Sequence, residues 1–115
     1  MLITGATGVL GSCVARESLH EHEVFGVSRT NVPPALWHHW CLDLSDAKSA
    51  LLFLNKLGPE IIVHCAALTD VERCERDESR AWVINVDSTK TLSAWASENG
   101  TQFVLISTDS VFDGA

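Results

Sequence analysis

Long hydrophobic runs are absent from this sequence of 115 residues, so it predicts no membrane span, which needs roughly 18 consecutive apolar residues. No basic segment with a cleavage site precedes the first apolar residues, so we expect no signal peptide. Positive charge is scarce as well, because 8 Lys and Arg stand against 15 Asp and Glu and the net charge is −7. Such a surface repels a phosphate backbone on average, which argues against a nucleic-acid partner.

Paired cysteines are also lacking. Cys13, Cys41, Cys65 and Cys74 include no C-x-x-C pair, and no histidine stands at a zinc-ligand spacing from such a pair. A metal site is therefore not expected. The four thiols are typical of a cytoplasmic protein, in which cysteines stay reduced and some enter the core. Tyrosine is missing from the sequence altogether.

The first eleven residues carry the strongest pattern that is present. Met1–Ile3 is a short apolar run typical of a buried strand, and Gly5, Gly8 and Gly11 follow with the spacing G-x-x-G-x-x-G. A helical pattern begins directly after them. Strand, glycine turn and helix together are the context in which such a triplet binds the pyrophosphate of a dinucleotide. The alternative is a glycine-rich turn that binds nothing.

Each glycine has a separate physical task in the dinucleotide hypothesis. Gly5 lets the chain turn sharply off the strand. Gly8 lets a pyrophosphate approach the backbone, and Gly11 lets the helix pack closely against the sheet. The free N–H groups of the helix start, with their partial positive charge, then face the phosphates. Because these groups act locally, a negative net charge does not exclude a dinucleotide.

Strands and helices alternate along the rest of the chain. The patterns predict strands at about 1–3, 23–28, 37–42, 60–65 and 101–107, and helices at about 10–19, 47–57 (capped by Ser45 or Asp46) and 77–99. A loop or broken turn is expected at 66–76. The residues expected on the buried faces of the second and third helices are Ala47, Leu51, Leu54 and Leu57, and Ala81, Ile84, Leu92 and Trp95.

This alternation, with short links, implies right-handed crossovers and a parallel sheet. We therefore predict an α/β fold, with a Rossmann-type doubly wound parallel sheet whose strand order is 3-2-1-4-5. The predicted fold is truncated after its fifth strand. Residues 1–115 are expected to form one nucleotide-binding domain. Ligands of such sheets bind at the carboxyl ends of the strands. One crossover lacks an obvious helix, because Pro33 and Pro34 forbid a regular helix there.

The predicted sheet ends on an exposed edge, at its third or fifth strand. Exposed edges recruit other chains, so we expect self-association through this edge. A monodisperse, monomeric scattering profile at high concentration would contradict that expectation.

Two charged residues follow the second and third strands. In the common fingerprint an Asp or Glu about 20 residues beyond the glycines binds the ribose hydroxyls, but here the second strand ends Val27-Ser28-Arg29-Thr30. Arg29 offers a positive fork for a 2′-phosphate, which favours NADP over NAD, or it is an arginine merely exposed after a strand. Asp43 is placed to accept a hydrogen bond from an adenine amino group, or it is a turn residue or a carboxylate at a helix start.

Small and polar residues end the fourth and fifth strands. The run His64-Cys65-Ala66-Ala67 would let a flat ligand lie against the backbone, although His64 by itself is more typical of a strand end than of a catalyst. Asn85 lies in a predicted helix, where asparagine is unfavourable, so its amide is a candidate to order a water or brace a backbone. The hydroxyls of Ser107 and Thr108 could polarise a carbonyl, or serve only the turn.

These motifs together resemble a known family. Thr4–Gly11, Asp43-Leu44, His64–Ala67, Asn85-Val86 and Ser107–Gly114 occur in the order seen in extended short-chain dehydrogenases/reductases. Within that superfamily the chain most resembles the dTDP-4-dehydrorhamnose reductase (RmlD-like) branch, of which Ser-Thr-Asp-x-Val-Phe-Asp-Gly is the most specific marker. The same branch includes a non-catalytic relative, the regulatory beta subunit of methionine adenosyltransferase. The resemblance covers essentially the whole chain, but only the front part of the family's length.

The resemblance implies a role for each matching residue. The dinucleotide contacts that it implies are Gly5, Ala6, Thr7, Gly8, Val9, Leu10 and Gly11 at the pyrophosphate, Arg29 at the 2′-phosphate, Asp43 and Leu44 beside the adenine, and Cys65, Ala66 and Ala67 along the ribose and nicotinamide. It also implies that Asn85 is the structural asparagine of the catalytic site. Thr108 would be the hydroxyl of the catalytic Ser/Thr-Tyr-Lys set, with Ser107 beside it.

Two departures from the family pattern bear on activity. The family usually has tyrosine where this chain has Ser110, and its catalytic Tyr-x-x-x-Lys is absent from these 115 residues. The proton donor for carbonyl reduction is therefore missing. We expect the NADP-binding part of a reductase of sugar nucleotides, inactive by itself, or a regulatory binding module similar to the methionine adenosyltransferase subunit. A fold remnant that binds no nucleotide is a third alternative.

Overall fold

The computed structural model describes residues 1–30, 36–108 and 114. Parallel strands form a sheet in the order β3-β2-β1-β4-β5, which confirms the predicted order. The strands are β1 (Leu2–Thr4), β2 (Phe25–Ser28), β3 (His38–Cys41), β4 (Ile61–His64) and β5 (Gln102–Leu105). Thr4, the last residue of β1, lies beside Val27 of β2 and His64 of β4. The carboxyl ends of the central strands therefore meet at one edge of the sheet.

Helices cover both faces of this sheet, as a doubly wound fold requires. Helix α1 (Val9–Ser18) packs on one face, and helices α2 (Ala47–Leu57) and α5 (Ser88–Asn99) pack on the other. Between β4 and α5 the chain forms α3 (Val71–Arg76), α4 (Glu78–Trp82) and a π-helical segment, Val83–Asp87. No helix in the described part of the chain is both long enough and apolar enough to cross a membrane.

Two apolar cores lie on the two sides of the sheet because side chains alternate along each strand. Leu2 and Ile62 enter the core beneath α2 and α5, whereas their neighbours Ile3 and Val63 enter the core beneath α1. Burial on both faces explains why β1 and β4 are apolar at every position before their last residue instead of alternating.

The predicted buried face of α2 is wrong in its first half. Ala47 and Leu51 are exposed, whereas Ala50 and Leu54 are buried in the core. Ala50 and Leu54 are four residues apart and so share one face of a helix, which is rotated relative to the face that the sequence pattern indicated. The helix begins after Asp46, whose carboxylate accepts hydrogen bonds from the backbone N–H groups of residues 48 and 49.

The segment predicted as a loop at 66–76 contains helix α3, and the long helix predicted at 77–99 is divided into α4, the π-helical segment and α5. Aspartate caps explain the first difference. Asp70 accepts the backbone N–H of Arg73 at 3.1 Å, and Asp77 accepts that of Arg80 at 3.0 Å. Each cap starts a separate helix, because its carboxylate replaces the backbone partner that a helix start lacks.

The buried face predicted for the long helix is correct only in α5. Leu92 and Trp95 are buried, whereas Ala81 and Ile84 are half-buried. These two residues belong to α4 and the π-helical segment. Ile84 lines a cleft at the carboxyl ends of the strands rather than the apolar core.

The sheet ends on β3 and β5. Val104 and Leu105 of β5 and the following Ile106 are exposed. Among the described residues no strand pairs with the outer edge of β5, so this edge is open as well as apolar. Self-association through it stays a prediction. The proline segment between β2 and β3 lies outside the described residues, as does most of the run after Thr108.

Helix α1 lies unusually close to the end of β1, and Gly11 makes that approach possible. Gly11 is buried, and a Cβ at this position would overlap the carbonyl oxygen of Gly5 and lie 2.8 Å from its carbonyl carbon. Both are backbone atoms, which cannot rotate away as the end of a side chain can.

We expect Gly11→Ala to destabilise the protein by about 1–3 kcal/mol, because α1 has to move off the sheet to admit the methyl group. The effect opposes intrinsic helix propensity, which favours alanine over glycine by about 1 kcal/mol. Denaturant unfolding measures it, with Cys13→Ala at an exposed position of the same helix as the control. Equal stability of Gly11→Ala and the wild type would refute the close-approach argument.

Candidate functional site

A cleft of about 270 Å³ opens at the carboxyl ends of β1, β2, β3 and β4. The predicted dinucleotide contacts that line it are Gly5, Thr7, Gly8, Arg29, Asp43, Leu44, Cys65, Ala66 and Ala67. The remaining members of the predicted set lie elsewhere: Ala6 and Gly11 are buried, and the side chains of Val9 and Leu10 are exposed. The topology thus brings residues from four separate loops to one place.

The glycine turn forms one wall of the cleft. Gly5 has a φ of 65°, in the left-handed region that favours glycine. The backbone N–H of Gly8 donates to the carbonyl oxygen of Gly5 at 2.9 Å, which closes the turn. Gly8 is also the N-cap of α1 and supplies no side-chain hydrogen bond. The first N–H groups of α1 are therefore without a side-chain cap at the cleft, an arrangement suited to an anion.

Gly5 also touches the loop after β4. A Cβ at Gly5 would lie 2.8 Å from the backbone nitrogen of Ala66. The side chain of Thr4, one residue earlier, accepts that same N–H at 3.1 Å. The glycine turn and the Ala66–Ala67 wall are therefore packed backbone against backbone.

Asp43 is held as an ionised carboxylate at the far end of the cleft. It accepts hydrogen bonds from the hydroxyl of Ser45 at 2.6 Å and from its backbone N–H at 3.0 Å. These bonds, and then the positive charges of Arg29 and Arg80, lower the pKa of the Asp43 carboxyl. Asp43 thus makes the turn contacts considered for it above while it lines the cleft. Arg29 is exposed at the rim.

Asn85 braces the loop after β4. Its side-chain oxygen accepts the backbone N–H of Leu68 at 2.7 Å, and its amide nitrogen donates to the carbonyl oxygen of Leu68 at 3.0 Å. The side chain therefore satisfies both polar groups of one residue, as a neighbouring strand would. Of the two roles considered for Asn85, this geometry is that of a backbone brace. Its position in the π-helical segment accounts for a residue that ordinary helices disfavour.

His64 lies behind the cleft, 2% exposed. Its Nδ1 is 2.6 Å from the hydroxyl oxygen of Thr4, and its Nε2 is 3.1 Å from that of Thr89. Burial lowers the pKa of His64 to about 4, so the ring is neutral at pH 7. Burial also raises the pKa of the neighbouring Cys65 thiol, which keeps it uncharged.

The two predicted catalytic hydroxyls, Ser107 and Thr108, are not among the residues that line the cleft. Both are exposed and follow β5, which is separated from β1 by β4. Residues 109–113, which complete the family motif, lie outside the described part of the chain.

Several residues of the site were missed by sequence reasoning. Ser45 fixes Asp43, Thr89 contacts His64, and Ile84 and Ser88 line the cleft from the helical side. The spacing of four between Ile84 and Ser88 was the available signal, since such residues share a helix face. Thr4 gave a second signal as a polar residue at the end of a buried strand, directly before a glycine.

Comparison with known proteins places the chain in a family. The model of the RmlD substrate binding domain matches residues 1–115, the full length of the sequence. The chain belongs to the RmlD family. One curated relative is the probable low-salt glycan biosynthesis reductase Agl14 of Haloferax volcanii. It is 32% identical to this chain, and the match covers 97% of this chain and 38% of Agl14. The methionine adenosyltransferase 2 subunit beta of Xenopus laevis is 32% identical over 98% of the chain and 33% of its own length.

A solved structure agrees with this assignment. The dTDP-4-dehydrorhamnose reductase of Bacillus anthracis, determined in complex with NADP, superposes with a TM-score of 0.83 at 30% identity, over 98% of this RmlD-family chain and 37% of that protein. The chain spans between 33% and 38% of the length of these three relatives.

The lowered pKa of His64 predicts a loss of stability in acid. An unfolded histidine titrates near pH 6.5 and the folded one near pH 4, so between these values only the unfolded chain binds the proton. The free energy of unfolding should fall as the pH drops from 6.5 towards 4, by about 2 kcal/mol at pH 5. Denaturant unfolding at pH 7 and pH 5 measures this loss.

His64→Gln is the matched variant, because glutamine keeps hydrogen-bonding groups but does not titrate. Other acid-sensitive groups act equally in both proteins, so the difference between their losses isolates His64. An equal loss in both proteins would show that His64 is not the source.

Proposed function

We propose that the cleft binds a nicotinamide dinucleotide, with NADP preferred, and that this chain is the nucleotide-binding part of an RmlD-type reductase of sugar nucleotides. The observation that carries the proposal is the glycine turn, because it presents uncapped N–H groups of α1 beside backbone that lacks a Cβ at Gly5 and Gly8. A side chain at Gly8 would occupy the space that a pyrophosphate needs, whereas one at Gly5 would clash with the backbone of Ala66 and push the two walls of the cleft apart. The NADP complex of the Bacillus anthracis relative supports the same cofactor class.

The other walls of the cleft suit the rest of such a ligand. Asp43 and Leu44 would flank the adenine, and Cys65, Ala66 and Ala67 would lie along the ribose and nicotinamide. The uncharged Cys65 thiol and the two alanines offer a surface without charge, which suits a flat ring. Such a wall also leaves room for the ligand close to the backbone.

Arg29 would select NADP by binding its 2′-phosphate. A guanidinium presents paired donors that match phosphate oxygens. The ionised Asp43 nearby would repel an unpaired phosphate, so the arginine is also needed to offset that charge. The competing interpretation is that Arg29 is only an exposed residue at the end of β2.

Titration calorimetry with NADPH and NADH tests this selection. We expect tighter binding of NADPH, and Arg29→Gln should weaken NADPH by roughly 10- to 100-fold while leaving NADH unchanged, since a hydrogen bond to a charged group contributes about 1.5–3 kcal/mol. Arg16→Gln, at the far end of α1, is the matched control. Equal affinity for the two dinucleotides would refute Arg29 as the selecting residue, and binding of neither would refute the proposed function.

In a complete reductase the dinucleotide supplies a hydride to the carbonyl carbon of the sugar. The residues of this chain would hold and orient it, and the hydroxyl of Thr108 would polarise the carbonyl. No tyrosine is present in the sequence to donate the proton. We infer that these 115 residues bind the cofactor without reducing the sugar.

The expected result is therefore no oxidation of NADPH when the chain is mixed with a 4-keto sugar nucleotide. Absorbance of the reduced nicotinamide follows the reaction, and a full-length dTDP-4-dehydrorhamnose reductase serves as the positive control. Steady turnover by the chain alone would contradict the inference.

A regulatory binding module is the second candidate function. It is favoured by the 32% identity to a methionine adenosyltransferase subunit beta, taken with the absence of tyrosine. A Tyr-x-x-x-Lys motif in any sequence that follows residue 115 would favour the reductase.

A further inference from the structure

A series of buried and part-buried hydrogen bonds runs behind the cleft from α5 to the glycine turn. Thr89 of α5 donates its hydroxyl proton to the carbonyl oxygen of Asn85 at 2.7 Å. Its oxygen is 3.1 Å from Nε2 of His64, and Nδ1 of His64 is 2.6 Å from the hydroxyl oxygen of Thr4. Thr4 in turn accepts the backbone N–H of Ala66 at 3.1 Å.

The number of available protons fixes which group donates and which accepts in each of these hydrogen bonds. A hydroxyl has one proton to donate, and that of Thr89 is used by Asn85. Thr89 must therefore accept from His64, which places the ring proton on Nε2. Nδ1 of the neutral ring is then an acceptor, so the Thr4 hydroxyl donates to it and keeps an oxygen lone pair for the N–H of Ala66. Every member is satisfied in this one arrangement.

This series of hydrogen bonds joins the two walls of the cleft. Thr4 immediately precedes Gly5, the first residue of the glycine turn, and it also accepts backbone N–H groups of both Cys65 and Ala66 through its carbonyl and hydroxyl oxygens. At the other end, Asn85 fixes Leu68 of the same wall. The loop after β4 is therefore held at two points, and His64 connects those points through the protein interior.

We propose that Thr89 and His64 are positioning residues, which hold the Cys65–Leu68 wall against the glycine turn and so set affinity for the pyrophosphate and nicotinamide half of a dinucleotide without contacting it. This inference rests on the proposed dinucleotide function. The inference predicts no effect at the adenosine end of the cleft, because Arg29 and Asp43 are not members of this series of hydrogen bonds.

The test uses a pair of variants and two probes. Thr89→Val has nearly the shape of threonine but no hydroxyl, whereas Thr89→Ser retains the hydroxyl. NADPH spans the whole cleft, and adenosine 2′-monophosphate reaches only the adenosine end. We expect Thr89→Val to weaken NADPH about 5- to 10-fold, the loss of roughly one hydrogen bond, to leave adenosine 2′-monophosphate within twofold, and Thr89→Ser to restore NADPH affinity.

The outcomes separate the inference from the function on which it rests. Unchanged NADPH affinity in Thr89→Val, or a parallel loss for both probes, would overturn the positioning role while leaving cofactor binding intact. A wild type that binds neither probe would overturn the proposed function and this inference with it. Nitrogen NMR of the imidazole in the free protein gives an independent readout: a proton on Nε2 supports the arrangement, and a proton on Nδ1 overturns it.

Discussion

The close packing of three backbone segments at the end of β1 is the constraint on which the rest of this structure depends. Gly5 lies against the backbone of Ala66, and Gly11 lies against the carbonyl group of Gly5. Neither position has room for a Cβ. Helix α1 can therefore start directly over the strand ends, with Gly8 at the cleft and no side chain capping its first N–H groups.

Polar residues then fix the walls around this point. Burying a polar group without a hydrogen-bond partner costs free energy, so rearrangements that break a fully paired network are disfavoured. Thr4, His64 and Thr89 form such a network on the inside, and Asn85 pairs both backbone groups of Leu68. The cleft is thus shaped by groups that do not themselves line it, which suits a site that must keep its form before a ligand arrives.

The charge distribution is compatible with the proposed anion site, although the protein is acidic. The net charge is −7, yet the cleft combines the partial positive charge of the start of α1 with Arg29. Salt screens charges that lie more than about 8–10 Å away, so these local groups outweigh the distant acidic residues at the cleft. Asp43 is the one carboxylate among the described residues that line this cleft, and bonds from Ser45 keep it ionised.

The sequence by itself determined the fold class, the strand order and the glycine turn, because apolar runs, glycine spacing and helix stops are local signals that agree with one another. It also indicated most of the residues that line the cleft, since strand ends can be located along the chain. Only the tertiary structure decided the rotation of α2, the division of the last long helix and the partners of Asn85, His64 and Thr89. Those features depend on which residues separated by tens of positions meet in space, as His64 meets Thr4 and Thr89. A local pattern carries no information about such pairs, whereas packing between strands and helices fixes them.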